Sequence, residues 1–393
     1  MFGRPGNNLK VGFVAMPNSG KSSLFNVLTS SDVLVAPYPF ATINPAEARV
    51  AVPDAKLTRL AQIFGSQSVI PAYLTVMDIA GLVKGAAEGQ GLGNAFLANI
   101  RAVDAIFHVV RVFEDPDVPH VEGTLDPVRD MVIIHEELRL KDLELLSGRI
   151  AQLEKQVKRG ANGNQMMGKA WKTELDVLVR AHDWIGADKD VRNGEWSEAD
   201  IEILNPLQLL TAKPMVYLAN VSETEYASNS SKWLPKIEEW VRANNVNNET
   251  SRVLTYCGEL EAAVAELNDG GKSTDGTEYL TSLGTKSALP EIILSGYKAL
   301  DLMHFHTAGP QQARAWTIRR GTKAPQAAGV IHTDFEKSFI AAETYSFADL
   351  EQFGSEAAVK SAGKYQSRGK DYVVQENDIV LFKFNAANTS KKH

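Results

Sequence analysis

Lys10-Val11-Gly12-Phe13-Val14-Ala15-Met16-Pro17-Asn18-Ser19-Gly20-Lys21-Ser22-Ser23-Leu24-Phe25-Asn26-Val27-Leu28 reads as a short buried strand, a tight loop and a helix with one apolar face. That order, with Gly-Lys-Ser at the loop–helix junction, is the order a phosphate-binding P-loop requires. The residue types supply the chemistry. Backbone N–H groups of the loop and of the helix N-terminus form an anion cradle. Gly20 lets the backbone approach a phosphate closely, Lys21 brings a positive charge to the β- and γ-phosphates, and the Ser22 hydroxyl is placed to ligate Mg²⁺. Asn18, Ser19, Gly20, Lys21, Ser22 and Ser23 are therefore expected to bind nucleotide. Ala15 stands where the first glycine of the strict pattern is usual, the smallest replacement available there.

Downstream, Tyr73-Leu74-Thr75-Val76-Met77 reads as a strand running into Asp78-Ile79-Ala80-Gly81. A carboxylate at a strand end suits Mg²⁺ held through water, and the Gly81 N–H suits contact with the γ-phosphate. Between the two motifs lies Phe40-Ala41-Thr42-Ile43-Asn44-Pro45, where Thr42 is either a second Mg²⁺ hydroxyl in a switch loop or an ordinary loop threonine. Ser22, Thr42 and Asp78 form the expected metal set, and Lys21 and Gly81 belong to the expected catalytic set. The glycine-dense stretch Gly81 to Asn94 suits a second switch with two backbone arrangements.

Composition bounds the rest. At 393 residues the chain exceeds one core and suggests two or three domains. Its net charge of −7 argues against a polycation that wraps nucleic acid, and no DNA partner is expected. From Phe305 onward there are 12 Lys/Arg against 9 Asp/Glu, so the last stretch is mildly basic and the preceding part carries −10. Cys257 is the one cysteine, so no intrachain disulfide can form, which fits a reducing compartment. No apolar run approaches the roughly 20 residues that cross a bilayer, and the N-terminal stretch has no signal-peptide pattern. A cytoplasmic protein without a membrane partner is the expectation.

Base selection rests on Met215-Val216-Tyr217-Leu218-Ala219, a strand that ends at Asn220-Val221-Ser222-Glu223. Regulatory GTPases place Asn-Lys-x-Asp here; the Asp accepts from guanine N1–H and N2–H₂ and the Lys stem covers the base. In this chain the Lys position is Val221 and the Asp position is Glu223. Adenine lacks the N2 amine, while Asn220 can still meet its N7/N6 edge. The reading favours ATP over GTP, with GTP as the weaker ligand. Cys257 and Gly258 are read as part of the same nucleotide site.

The chain resembles the Obg-like ATPase (YchF) family of translation-factor-class P-loop GTPases. The resemblance is carried by PNSGKSSLFNVLT, PFATINP, DIAGLVKGAAEGQGLGNAF, NVSE, RAWTIRRGTKAPQAAGVIHTDFEKSFI and AGKYQSRGKDYVV, spread along almost the whole chain. It implies an ATP-preferring hydrolase, a helical insertion in the nucleotide domain, a C-terminal TGS domain and association with the ribosome. Leu82 stands where Ras-like enzymes carry the water-orienting Gln, and it has no hydrogen-bonding group. The resemblance points instead to His120, within Phe113 to Gly123, as the group that orients water; a structural loop histidine is the alternative. In similar enzymes lacking the Gln, an asparagine at the place of Asn18 helps coordinate K⁺ beside the phosphates, making K⁺ a second candidate cation. Simple stabilisation of the loop by the Asn18 side chain is the other reading.

Leu143, Leu146, Ile150, Leu153 and Val157 recur at three- and four-residue steps, as do Trp171, Leu175, Leu178, His182 and Ile185. Two antiparallel helices packed as a short coiled coil follow, joined through Gly160 to Asn164. They either only pack together or form an arm that touches a larger assembly. The expected architecture is α/β: a P-loop domain with a mostly parallel sheet over 8–282, interrupted by the helical insertion at 132–205, and an α+β ubiquitin-like TGS domain over 304–388. In the last domain, Ala315 to Arg319, Tyr372 to Val374 and Ile379 to Phe384 are expected strands, and Phe335 to Ala342 and Phe347 to Phe353 expected helices. Arg319, Arg320, Lys323, Lys360, Lys364, Arg368 and Lys370 are either an RNA-facing patch, consistent with a ribosomal RNA partner, or a solvated face. The tail from Ala386 to His393 is expected to be disordered. Three functions remain open: an ATP-hydrolysing switch in translation or stress responses, a GTP-specific GTPase, and a ribosome-associated binder with incidental hydrolysis.

Overall fold

The computed structural model describes residues 3–4, 6–30, 47–79, 99–160, 165–245, 252–269 and 275–385. Thr42, Gly81 and Leu82, both expected switch stretches, the 161–164 link and the 386–393 tail lie outside the described residues. Twelve strands are described: β1 (Lys10–Ala15), β2 (Glu47–Ala51), β3 (Ser68–Ile70), β4 (Tyr73–Asp78), β5 (Ala105–Arg111), β6 (Met215–Asn220), β7 (Val253–Tyr256), β8 (Leu302–Ala308), β9 (Gln312–Arg319), β10 (Phe339–Ser346), β11 (Gln366–Arg368) and β12 (Asp378–Phe384). The chain divides into two compact units, the first built mainly from Leu9–Ala48 and Thr75–Ala299, the second from Arg49–Leu74 and Leu300–His393.

In the first unit, strands β4-β1-β5-β6-β7 lie in that order and pair in parallel. Every residue of β5 and of β6 is buried, the pattern of strands covered on both faces. The register sets Phe13 beside Asp78, Arg111 beside Asn220, and Asn220 beside Tyr256, so the carboxyl ends of the strands present their side chains along one edge. In an open parallel sheet that edge is where ligands bind. Helix α1 (Lys21–Ser30) starts directly after β1.

Between β5 and β6 the expected pair of helices spans Pro127–Gly160 and Gln165–Gly186. Leu146, Leu153, Leu178 and Ile185 form their buried seam, with Leu143, Ile150, Trp171 and Leu175 packed against it. Arg149 pairs with Glu174 across the seam at 2.7 Å. The root of the first helix is fixed to the sheet by polar bonds. His135 Nδ1 bonds to Asp190 Oδ2 at 2.8 Å and its Nε2 to the Tyr217 hydroxyl at 3.1 Å. Asp142 accepts the backbone N–H groups of Leu210 and Thr211 at 2.9 and 2.8 Å, and burial pushes its carboxyl up to about 6.

The second unit is an α+β fold on a sheet of order β11-β10-β12-β8-β9-β3. Met303, Phe305, Ile318, Val380 and Phe382 face a core with Ala324, Ala327 and Ala328 of the Ala324–Ile331 helix. Leu60, Tyr345, Leu350, Val359 and Ile379 form a second cluster. Two elements differ from expectation. The stretch from Phe335 to Ala342 is not one helix: a helix covers only Thr333–Lys337, and β10 begins at Phe339. Pairing with β12 from Phe339↔Phe384 to Ser346↔Asp378 overrides any local helical preference there. Tyr372 to Val374 makes one isolated bridge, Lys323 to Val373, in place of a strand. The short segment's backbone groups bond to the turn before the Ala324–Ile331 helix, Ala324 N–H to Tyr372 O and Val374 N–H to Thr322 O. The Phe347–Phe353 helix is found where expected. Segment 49–74, which the motif order attaches to the nucleotide domain, contributes β3 and the helix α2 (Ala55–Phe64) to this unit.

Candidate functional site

The loop between β1 and α1 is held open by its backbone. Asn18 and Gly20 both adopt positive φ, 60° and 87°. A side chain on Gly20 would place its Cβ 2.3 Å from Asn220 Nδ2, so only glycine fits both the backbone and its neighbour. Asn220 is the strap behind the loop. Its Nδ2 donates to Ser19 O at 3.0 Å, and its Oδ1 accepts from Gly258 N–H at 3.0 Å. One buried amide thus joins the phosphate loop to the turn after β7, and Ser19, Asn220 and Gly258 meet as a unit.

At the mouth of the loop the Lys21 ammonium pairs with Asp78, which ends β4, and Ser22 Oγ donates to Asp78 Oδ2 at 3.3 Å. Lys21, Ser22 and Asp78 are thereby brought together, while Ser23, one residue on, is exposed. A hydroxyl and a carboxylate are the hard oxygen donors that Mg²⁺ takes alongside phosphate and water, so the donor set fits that ion. Close behind, the Ser19 hydroxyl and the Tyr256 hydroxyl are buried with no hydrogen-bond partner among the described residues. Burial drives the Tyr256 phenol upward. Val221 is 2% exposed and donates its N–H to Tyr256 O, so its side chain lies in the core and cannot cover a base as a lysine stem does. Glu223 opens the Glu223–Ser228 helix, half-buried, behind the Ser222 cap. The buried Cys257 thiol is raised, chiefly by burial and in part by the Glu223 charge.

His120 lies in the loop between β5 and the Pro127–Gly160 helix, and the loop is fastened at three points. Arg111, the last residue of β5, donates Nε to Phe113 O at 3.3 Å and Nη2 to Val118 O at 2.9 Å, with its guanidinium 4.6 Å from the Phe113 ring centre. Asn18 Nδ2 donates to Pro119 O at 3.0 Å, tying the loop to the phosphate loop. The His120 ring, 6% exposed, bonds through Nε2 to Asp130 Oδ2 at 2.8 Å, while Nδ1 accepts the Glu122 N–H at 3.1 Å. That backbone donor fixes the proton on Nε2. Burial raises the Asp130 carboxyl. Both ring nitrogens are therefore engaged in this conformation, and the neighbour of His120, not its ring, touches the phosphate loop.

Sequence reading missed Arg111, Asp130 and Tyr256. Arg111 had one signal, a lone cation closing the apolar run Ala105-Ile106-Phe107-His108-Val109-Val110. The cations of the second unit are largely engaged. Arg320 pairs with Glu376 at 3.2 Å and Lys323 with Asp371 at 3.1 Å, while Lys360 and Arg368 stand over the Tyr365 and Tyr372 rings.

Comparison with known proteins adds independent evidence. The family model of 50S ribosome-binding GTPases matches residues 10–146. The YchF-GTPase C-terminal model, described as a protein of unknown function, matches residues 302–385. Obg-like ATPase 1 of Rattus norvegicus is 50% identical over 394 residues, covering 100% of this chain and 96% of that protein. Obg-like ATPase 1 of Homo sapiens is likewise 50% identical with the same coverage. The solved structure of the Schizosaccharomyces pombe YchF GTPase superposes with a TM-score of 0.87 at 45% identity, covering 98% of this chain and 100% of that one.

Proposed function

The chain belongs to the Obg-like ATPase (YchF) family of P-loop nucleotide hydrolases, and from that membership we propose that it binds ATP with Mg²⁺ and hydrolyses it to ADP and phosphate as a switch. The observation that carries the proposal is the convergence of Lys21, Ser22 and Asp78 at the mouth of a loop whose Gly20 packs against the Asn220 amide with no room for a side chain. Ser22 and Asp78, with Thr42, would hold Mg²⁺, which supplies charge neutralisation at the phosphates when bound. Lys21 leaves Asp78 for the phosphate oxygens once nucleotide arrives. Asn220 keeps Ser19 and the base-side turn at a fixed separation, and Gly81 offers its N–H to the γ-phosphate.

ATP preference follows from Val221 and Glu223. No lysine stem covers the base, and the carboxylate that would select guanine is one methylene longer than aspartate and sits at a helix start. His120 orients the attacking water after releasing Asp130, and the cost of that release keeps intrinsic turnover slow. K⁺ beside Asn18 is a second source of positive charge, available once the Asn18 amide turns from Pro119. The partner that draws His120 forward is the ribosome, a reading supported by the family model matched at residues 10–146. The helical pair is the coiled-coil arm and the second unit the TGS domain of this scheme, and the protein works in the cytoplasm.

Competition of ATP and GTP for the purified chain is the decisive measurement. ATP should displace a fluorescent nucleotide at lower concentration, and GTP prevailing would overturn the base assignment. Lys21→Ala should lower hydrolysis by at least about 10²-fold. Cosedimentation with ribosomes should change between ATP- and ADP-loaded protein; identical binding in both states would remove the switch and leave a constitutive binder.

A further inference from the structure

The second unit contains a side-chain cluster that the nucleotide chemistry does not use. His304 and His306 stand two residues apart on β8, so both imidazoles project from one face of the sheet. Both meet a single carboxylate oxygen: His306 Nε2 lies 2.7 Å and His304 Nε2 3.2 Å from Asp54 Oδ2. The three side chains are 0%, 8% and 6% exposed in the order His306, His304, Asp54. Their ligand atoms all lie within 4.8 Å of one another. The carboxylate is aimed by its other oxygen, which accepts the Leu57 N–H at 3.0 Å as the cap of α2.

We propose that Asp54, His304 and His306 form a binding site for a divalent first-row transition cation of the Zn²⁺ class. Two imidazoles and a carboxylate are the donors that such an ion takes, at about 2.0–2.2 Å from each, with a fourth position left for water. Ligands at that radius stand roughly 3.3 Å apart around a tetrahedral centre, close to the Asp54 separations. The ligands come from a central strand and a helix cap, elements that hold them without a loop, and the Leu57 N–H supplies the outer contact that orients a ligating carboxylate. The contrast with His120 is informative. There a backbone N–H occupies Nδ1 and fixes the proton on Nε2, so that nitrogen cannot ligate. His306 Nδ1 has no hydrogen-bond partner among the described residues, so no backbone donor fixes its tautomer: the proton that Nε2 gives to Asp54 Oδ2 can be carried on Nδ1 instead, which frees the Nε2 lone pair for a cation. Mg²⁺, which prefers oxygen ligands and its own water, does not compete for such a site.

The test uses the full chain, stripped with chelator and then held in saturating Mg²⁺ and ADP so that the phosphate loop is occupied. Titration with Co²⁺ should show one equivalent bound with the intense visible absorption of a low-coordinate centre, displaced by Zn²⁺. His304→Phe and His306→Phe keep a ring of similar volume, and each should weaken Co²⁺ binding by at least about tenfold. Asp54→Asn, which retains a helix cap, should do the same. Binding that survives in the His304→Phe/His306→Phe double variant would overturn the site and place the ion on surface histidines. Should the variants fail to fold, the unaltered protein still decides: its Tm should rise with added Zn²⁺ by mass action. No visible Co²⁺ spectrum and no rise in Tm would leave Asp54 as a carboxylate held by two N–H donors, and the proposal would fall.

Discussion

His120 donates its Nε2 proton to Asp130 Oδ2 at 2.8 Å, and both side chains are nearly buried. A histidine so held must give up this bond before it can reach a water beside nucleotide. Asp130→Ala is expected to raise basal kcat several-fold with little change in KM, because the restraint is gone while the ring remains. His120→Ala is expected to lower kcat by about 10²-fold or more, the range of a positioned acid–base group. A steady-state comparison of the two variants decides: equal losses would mean that Asp130 orients the ring and does not restrain it.

Asn18 ties the phosphate loop to Pro119 through one hydrogen bond of 3.0 Å. Asn18→Ala should loosen residues 113–122 while leaving the sheet intact. Hydrogen exchange in that loop should quicken, and any stimulation of hydrolysis by K⁺ over Na⁺ should disappear. Unchanged exchange would show that Arg111, through Phe113 O and Val118 O, and the His120–Asp130 bond hold the loop without Asn18.

Asn220 serves two backbone groups at once, Ser19 O and Gly258 N–H. Asn220→Ala leaves both without their partner in a buried place, at a cost of about 1–3 kcal/mol for each group left unsatisfied. Denaturant unfolding should report that loss, and nucleotide affinity should fall with it. Gly20→Ala should be worse for nucleotide than for stability, since its Cβ collides with the same Asn220 amide and its φ of 87° strains any other residue.

Lys213 is buried with its ammonium against Val103 O and Arg101 O, and burial lowers it to about 8. Its folded value lies below the ordinary lysine value of about 10.4, so the unfolded chain binds the proton more tightly. Stability contributed through this group therefore rises as pH climbs from 8 towards 10.5, by up to about 3 kcal/mol. Urea unfolding at pH 8 and pH 10, compared between the parent and Lys213→Met, should show a smaller upward slope in the variant. Parallel slopes would mean that the ammonium is solvated.

Much of this was readable because local pattern and fold coincide. β1, the phosphate loop and α1 are contiguous, and each position has a chemical reason, so Lys21, Ser22 and the strand ending in Asp78 came from spacing alone. The helical pair declared itself by its apolar period. What escaped depends on contacts remote in sequence. The Asp130 partner of His120 belongs to a different element, Arg111 looked like a strand end, and the helix expected over 335–342 yields to β12, whose pairing no local window contains. The Asp54 cluster was invisible for the same reason, since His306 lies 252 positions beyond Asp54.

The early segment 49–74 has a consequence for how the protein is made. Its Ser68–Ile70 strand pairs with Gln312–Arg314, and Ser66 Oγ bonds to Gly309 O, 243 positions further along the chain. Closing a loop of that length is slow compared with forming local hairpins. During synthesis this stretch emerges long before the strand it borders, so its Leu60 face must wait, or be shielded by a chaperone, until the last quarter of the chain has left the ribosomal tunnel. A gene fragment starting at residue 300 would express a sheet with an uncovered border and a hole where α2 belongs, and such a fragment is poor material for isolating this unit.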